Sequence, residues 1–122
     1  AYSAAKYATE DDILILKSIV KKMKENIDNL DILTVYDFEF HSELARISRN
    51  ELFVIALKVV KEGYEKFAYE VFKNNLIEWS IEDHVEIITA LEKNDSKLAK
   101  SIMRKHLNVK FYLIVYFYRY LW

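Results

Sequence analysis

Across 122 residues this chain has no proline and one glycine, Gly63, so the residues that normally punctuate β-hairpins and long loops are almost missing. Lys, Glu, Leu and Ile dominate in their place, and most of these favour helices. The fold class that follows is all-α, a bundle of helices joined by short polar connections. The length is that of one domain, residues 1–122, and suffices to bury a core without disulfides or a metal staple.

Charge and cysteine content narrow the function. Eighteen basic and nineteen acidic residues leave a net charge of −1, which gives no global attraction to nucleic acid or an anionic membrane. Cysteine is absent, which excludes disulfide and thiolate chemistry and fits a reducing compartment. The start, AYSAAKYATEDD, has no basic region followed by an apolar run, so it does not read as a signal peptide, and a cytoplasmic location is expected.

Apolar spacing divides the chain. Residues 1–8 read as the last turns of a helix. Thr9 with Asp12 resembles a capping box opening a helix of about 20 residues, striped by Leu16, Val20, Met23, Ile27 and Leu30. After a break at 28–31, a second stripe carries Leu33, Asp37, Phe40, His41, Leu44 and Ile47. Asn50 leads into a helix from Glu51 to about Lys73, with Leu52, Ile55, Val59 and Phe67 on one side and Gly63 as either a close crossing or a weak point. Residues 74–79 read as a connector, with Ser80 as N-cap and Asp83 as its capping partner for a helix facing inward through Ile81, His84, Val85, Ile88 and Leu91. Asp95 or Ser96 caps the last helix, striped by Leu98, Ile102, Met103 and His106.

The final stretch, VKFYLIVYFYRYLW (109–122), is aromatic at seven of 14 positions. As a helix it spans only about 21 Å, short of the roughly 30 Å hydrocarbon core. It is expected to continue the last helix and bury apolar area against the bundle or a partner subunit; a strand or a non-native tail is the alternative.

The chemistry concentrates in YDFEFHSEL, residues 36–44. Asp37 and His41 are four apart, hence on one helix face one turn from each other. The other two histidines, His84 and His106, also fall on apolar stripes. If the helices alternate up and down, the rise of 1.5 Å per residue puts His84 and His106 roughly 15–17 Å from the connection that joins their helices. The same rise puts His41 about 13 Å and Asp37 about 19 Å from the same end of the bundle. Three histidines and an aspartate at one height can share a divalent ion: zinc or nickel first, iron(II), cobalt or manganese also suiting mixed N and O donors. The alternative is four hydrogen-bonded polar groups in a core.

DFEFHSELARISRN, EDHVEIITALEKND and MRKHL, in this order, resemble the effector-binding (FCD) domain of GntR-type transcription regulators of the FadR subgroup, over residues 4–107. The resemblance implies an antiparallel all-α bundle, a homodimer, and a buried divalent metal that helps hold a small carboxylate effector. Carried over residue by residue, the ligands match Asp37, His41, His84 and His106, and Asn50 matches the asparagine opening the next helix. It also implies that DNA is reached only through an N-terminal winged helix-turn-helix domain missing here, and that the first helix is truncated before Ala1. Arg49 stands where a glycine is frequent, and Arg46 and Arg104 are candidates to offer charge to an effector anion. The function expected is a metal-dependent organic-acid sensing and dimerisation domain, not an enzyme and not membrane-bound. A metalloenzyme or a purely structural dimerisation bundle are the competing readings.

Overall fold

The structure, a computed structural model, describes the backbone of residues 1–74 and 76–121, with side chains except those of Tyr2 and residues 110–121. It consists of six helices: α1 (Tyr2–Tyr7), α2 (Glu10–Glu25), α3 (Leu30–Ile47), α4 (Glu51–Lys73), α5 (Ile77–Glu92) and α6 (Ser96–Leu121). No strand occurs among the described residues. The chain is thus an all-α bundle, as its composition requires.

Local chemistry sets most helix starts. Thr9 and Asp12 form the expected capping box, the Asp12 N–H donating to Thr9 Oγ1 at 3.1 Å and the Thr9 N–H to Asp12 Oδ2 at 2.9 Å. Asn50 Oδ1 accepts from the Phe53 N–H at 3.1 Å, and Asp95 Oδ1, rather than Ser96, accepts from the Leu98 N–H at 2.9 Å. The first break falls earlier than the stripe suggests: α2 stops at Glu25 and Asn29 caps α3, so Leu30 and Asp31 belong to the first turn of α3.

Several expectations are overturned: Val85 and Leu98, expected on inward stripes, are 39% and 42% exposed, and two larger differences follow. Ser80 is not an N-cap. Helix α5 begins at Ile77 behind Leu76, which supplies no side-chain cap, and Ser80 lies inside the helix, fully buried, its N–H bonded to the Leu76 carbonyl. Burial of Ile81 and contact of Ile77 with the core favour the extra turn over the polar cap signal. On α4 the stripe was misplaced: Leu52, Ile55 and Val59 are 81%, 57% and 79% exposed, and the buried residues are Leu57, Ala68, Val71 and Phe72. Phe67 alone of the expected set packs against the core.

The core is shared by all six helices and includes Ala4, Leu16, Met23, Leu33, Phe40, Phe72, Ile87, Leu91 and Ala99. Each large apolar side chain in it contributes about 1.5–3 kcal/mol by leaving water. Helix α3 packs between α2 and α4, α5 packs on α2 and α6, and α1 lies against α3, α5 and α6. This arrangement brings α3, α4, α5 and α6 around one interior point. Helix α6 continues as helix to Leu121, in line with the expected continuation; what its aromatic tail packs against lies outside the described side chains, and Trp122 lies outside the described residues.

Candidate metal centre

Two turns of α3 contribute Asp37 and His41, α5 contributes His84 and α6 contributes His106. All four are buried: Asp37, His84 and His106 fully, His41 to 7% exposure. One candidate ligand atom from each lies within 4.8 Å of the others. Opposite donors around an ion with bonds of about 2.1 Å stand about 4.2 Å apart, so only a small contraction would close the set around a metal. The three imidazole centroids form a near-regular triangle, 5.2 Å from His41 to His84, 5.4 Å from His41 to His106 and 5.0 Å from His84 to His106. Asp37 Oδ1 stands 3.4 Å from His84 Nε2 and 3.9 Å from His41 Nε2.

The surroundings hold these groups in place. The Tyr64 hydroxyl on α4 donates to Asp37 Oδ2 at 2.6 Å, leaving Oδ1 toward the histidines. Burial first, then the Asp37 charge and the hydrogen bond to it, push the Tyr64 phenol well above its ordinary pKa, so it remains a donor. The Phe40 ring stacks on His84 with centroids 3.9 Å apart and planes 11° off parallel. Trp79 stacks on His106 at 5.1 Å and 21°. His106 Nδ1 lies 3.0 Å from Asp83 Oδ2, both groups buried. Asp83 is therefore not a capping partner but a neighbour of the cluster, because the helix starts a turn before the expected cap.

Sequence reasoning passed over Tyr64 and Trp79 and gave Asp83 a capping role instead of a place beside the cluster. For Asp83 a signal was there: it sits in the series 80, 83, 84, 87, 88, 91, which is the inward pattern of α5, so a charged residue there needs a buried partner. Tyr64 precedes Ala68 by one turn on the inward side of α4, but the misplaced stripe hid it.

The candidate effector residues are not brought to the cluster by any described contact. Arg46, with Glu43 and Lys61 also on its rim, borders an open groove of about 800 Å³ between α2, α3 and α4. Its guanidinium pairs with Glu43 and, at 2.5 Å, with Asp12. Arg104 lines a shallow cleft with Ala1, Lys100 and Met103. Glu39, Glu82 and Glu86 are exposed and off the inward faces. No helix in the described residues is long and apolar enough to cross a membrane.

Comparison with known proteins shows the family of the chain. The FCD domain family matches residues 1–109. A curated relative, the Uxu operon regulator of Haemophilus influenzae, is 32% identical over 115 residues, covering 88% of this chain and 43% of that protein. The chain thus spans less than half the length of the relative it matches. A match over nearly the whole chain, on a six-helix bundle with this interior, means that the chain belongs to the FCD domain family found in GntR-type transcription regulators.

Proposed function

We propose that this domain senses a small organic acid through a divalent metal held by Asp37, His41, His84 and His106, and passes the signal to a DNA-binding domain of the same regulator. The observation that carries the reading is the buried carboxylate and three imidazoles within 4.8 Å of one another. Four such groups in a core are costly to desolvate, and a metal that they ligate offsets that cost directly. Zinc or nickel suits the donor set best, with iron(II), cobalt or manganese as alternatives. An ion with more than four positions retains places for water or an effector carboxylate. Arg46 and Arg104 remain candidates for charge toward an effector, acting through the groove and cleft they line. The role is regulatory rather than enzymatic: Glu39, Glu82 and Glu86 face solvent, and Asp83, buried beside His84 in sequence, is paired with His106. The domain is taken as residues 1–122 with an aromatic extension at 109–122, working in the cytoplasm where operator DNA is.

The test is elemental analysis of the purified protein, with thermal unfolding before and after exhaustive chelation. The expected result is about one equivalent of a transition metal and a melting point that falls on chelation and recovers on add-back. At a free metal concentration a thousandfold above Kd, binding stabilises by about 4 kcal/mol, a shift on the order of 10 °C for a domain of this size. A metal-free protein indifferent to added zinc and nickel would overturn the reading.

A homodimer is the second part of the proposal. Leu52, Phe53, Ile55, Val59 and Val60 expose 81%, 49%, 57%, 79% and 50% of their surface along α4. An apolar strip of this kind on one helix marks an association surface, and a second copy of the chain is its occupant. Light scattering should give a dimer mass for the native chain, and a lower mass for Leu52→Lys with Val59→Lys. A native monomer at micromolar concentration would reject the dimer.

A further inference from the structure

We infer that Asp83, a residue outside the ligand set, is the positioning residue that orients His106 and balances the charge of the buried ion; the inference rests on the metal reading above. Its basis is geometric. His106 Nδ1 and Asp83 Oδ2 are 3.0 Å apart with the histidine fully buried. With Asp83 ionised, Nδ1–H donates to the carboxylate, and the lone pair is carried by Nε2, the nitrogen that can ligate. Trp79 stacks against the face of the same ring, so Asp83 fixes rotation in the plane and Trp79 fixes tilt. His41 and His84 have ring centroids 5.4 Å and 5.0 Å from that ring, so a flipped His106 would take its ligating nitrogen out of the set.

Charge points the same way. Three neutral imidazoles and one carboxylate leave a divalent ion with a net charge of +1 in a buried site, and an uncompensated buried charge is costly. The Tyr64 phenol contributes none, since its O–H donates to Asp37 Oδ2 at 2.6 Å. The Asp83 carboxylate brings the centre to neutrality through His106, and a carboxylate behind a ligating imidazole raises its basicity toward the metal. Helix α5 therefore contributes twice: His84 as ligand, and the adjacent Asp83 as the support for a ligand on α6.

The experiment compares Asp83→Asn, Asp83→Ala and Asp83→Glu with the wild-type chain. Zinc affinity is read by competition with a chromophoric chelator, and the cobalt(II) visible spectrum reports coordination. Metal-free stability of each variant is measured alongside. Asp83→Asn is expected to bind one zinc about 10- to 100-fold more weakly than wild type. Asp83→Ala should be weaker still, with an altered cobalt spectrum, and Asp83→Glu should recover part of the affinity. A carboxylate that only fills the core would lower metal-free stability and leave zinc affinity and the cobalt spectrum unchanged; that outcome overturns the inference while the metal reading stands. No zinc or cobalt uptake by the wild-type chain overturns both. Should the variants fail to fold, long-range proton–nitrogen NMR of the zinc-loaded wild type decides the matter: His106 protonated at Nδ1 and metal-bound at Nε2 is expected, and metal at Nδ1 overturns the assignment.

Discussion

Gly63 and Arg49 have exchanged the roles their residue types suggest. The single glycine sits in α4 with helical backbone, no positive φ, and nothing within 4 Å of the position its Cβ would occupy. It is neither a close helix crossing nor a turn, only a cost in backbone entropy. Gly63→Ala is therefore expected to stabilise the domain by about 0.5–1 kcal/mol, read as a higher urea midpoint at unchanged m-value. Arg49, by contrast, follows the C-cap of α3 at φ 60°, where glycine is the unstrained choice. Its guanidinium lies 4.5 Å from the centroid of the Tyr7 ring, and that cation–π contact returns about 0.5–1 kcal/mol against the strain. Asn94, the other described non-glycine residue with positive φ, is of a type that tolerates it.

At the level of elements, the start of α2 and the end of α3 are tied through one carboxylate. Asp12 accepts from the Thr9 N–H and pairs with Arg46, 34 residues on. The backbone hydrogen bond from Thr9 first, then Arg46, hold the Asp12 carboxyl below its ordinary range. A carboxyl depressed in the folded state stabilises it fully above the unfolded value, near 3.9, and loses that contribution as pH falls through the lower folded value. Asp12→Asn should thus cost up to about 1 kcal/mol at pH 7, the ion pair being partly open to solvent, and less at about pH 2, where protonation of the wild-type carboxyl erodes the contribution. Denaturant unfolding of both proteins at the two pH values checks it; an equal gap at both would reject the ionic origin.

For the molecule as a whole, the cluster is a meeting point of helices that are distant in sequence. Asp37 and His41 come from α3, His84 from α5 and His106 from α6, while Tyr64 of α4 donates to Asp37. Anything that binds there acts on the relative placement of four helices at once. One of them, α4, carries the exposed apolar strip from Leu52 to Val60. Ligand occupancy can shift the geometry of an assembly only by binding two arrangements unequally, and α4 is the element that touches both the centre and that strip.

Much of this protein is determined by local sequence. The absence of proline, the capping residues Thr9, Asn50 and Asp95, and the 3.6-residue apolar period settle the helical class and most helix starts, because they act within a turn of the chain. The spacing of Asp37 and His41 follows from helix rise alone, the equal heights of His84 and His106 from helix rise with an antiparallel connection, and the structure brings all four together. Tertiary packing decided the remainder. The cap signal at Ser80 lost to apolar burial at the start of α5, and the apolar run at Leu52, Ile55 and Val59 was left outside. Which face of a helix turns inward depends on what its neighbours bury, and amphipathic α4 offered two apolar sides. The pairings of Asp83 with His106 and of Tyr64 with Asp37 depend on side chains 23 and 27 residues apart meeting across helices, and no local rule carries that information.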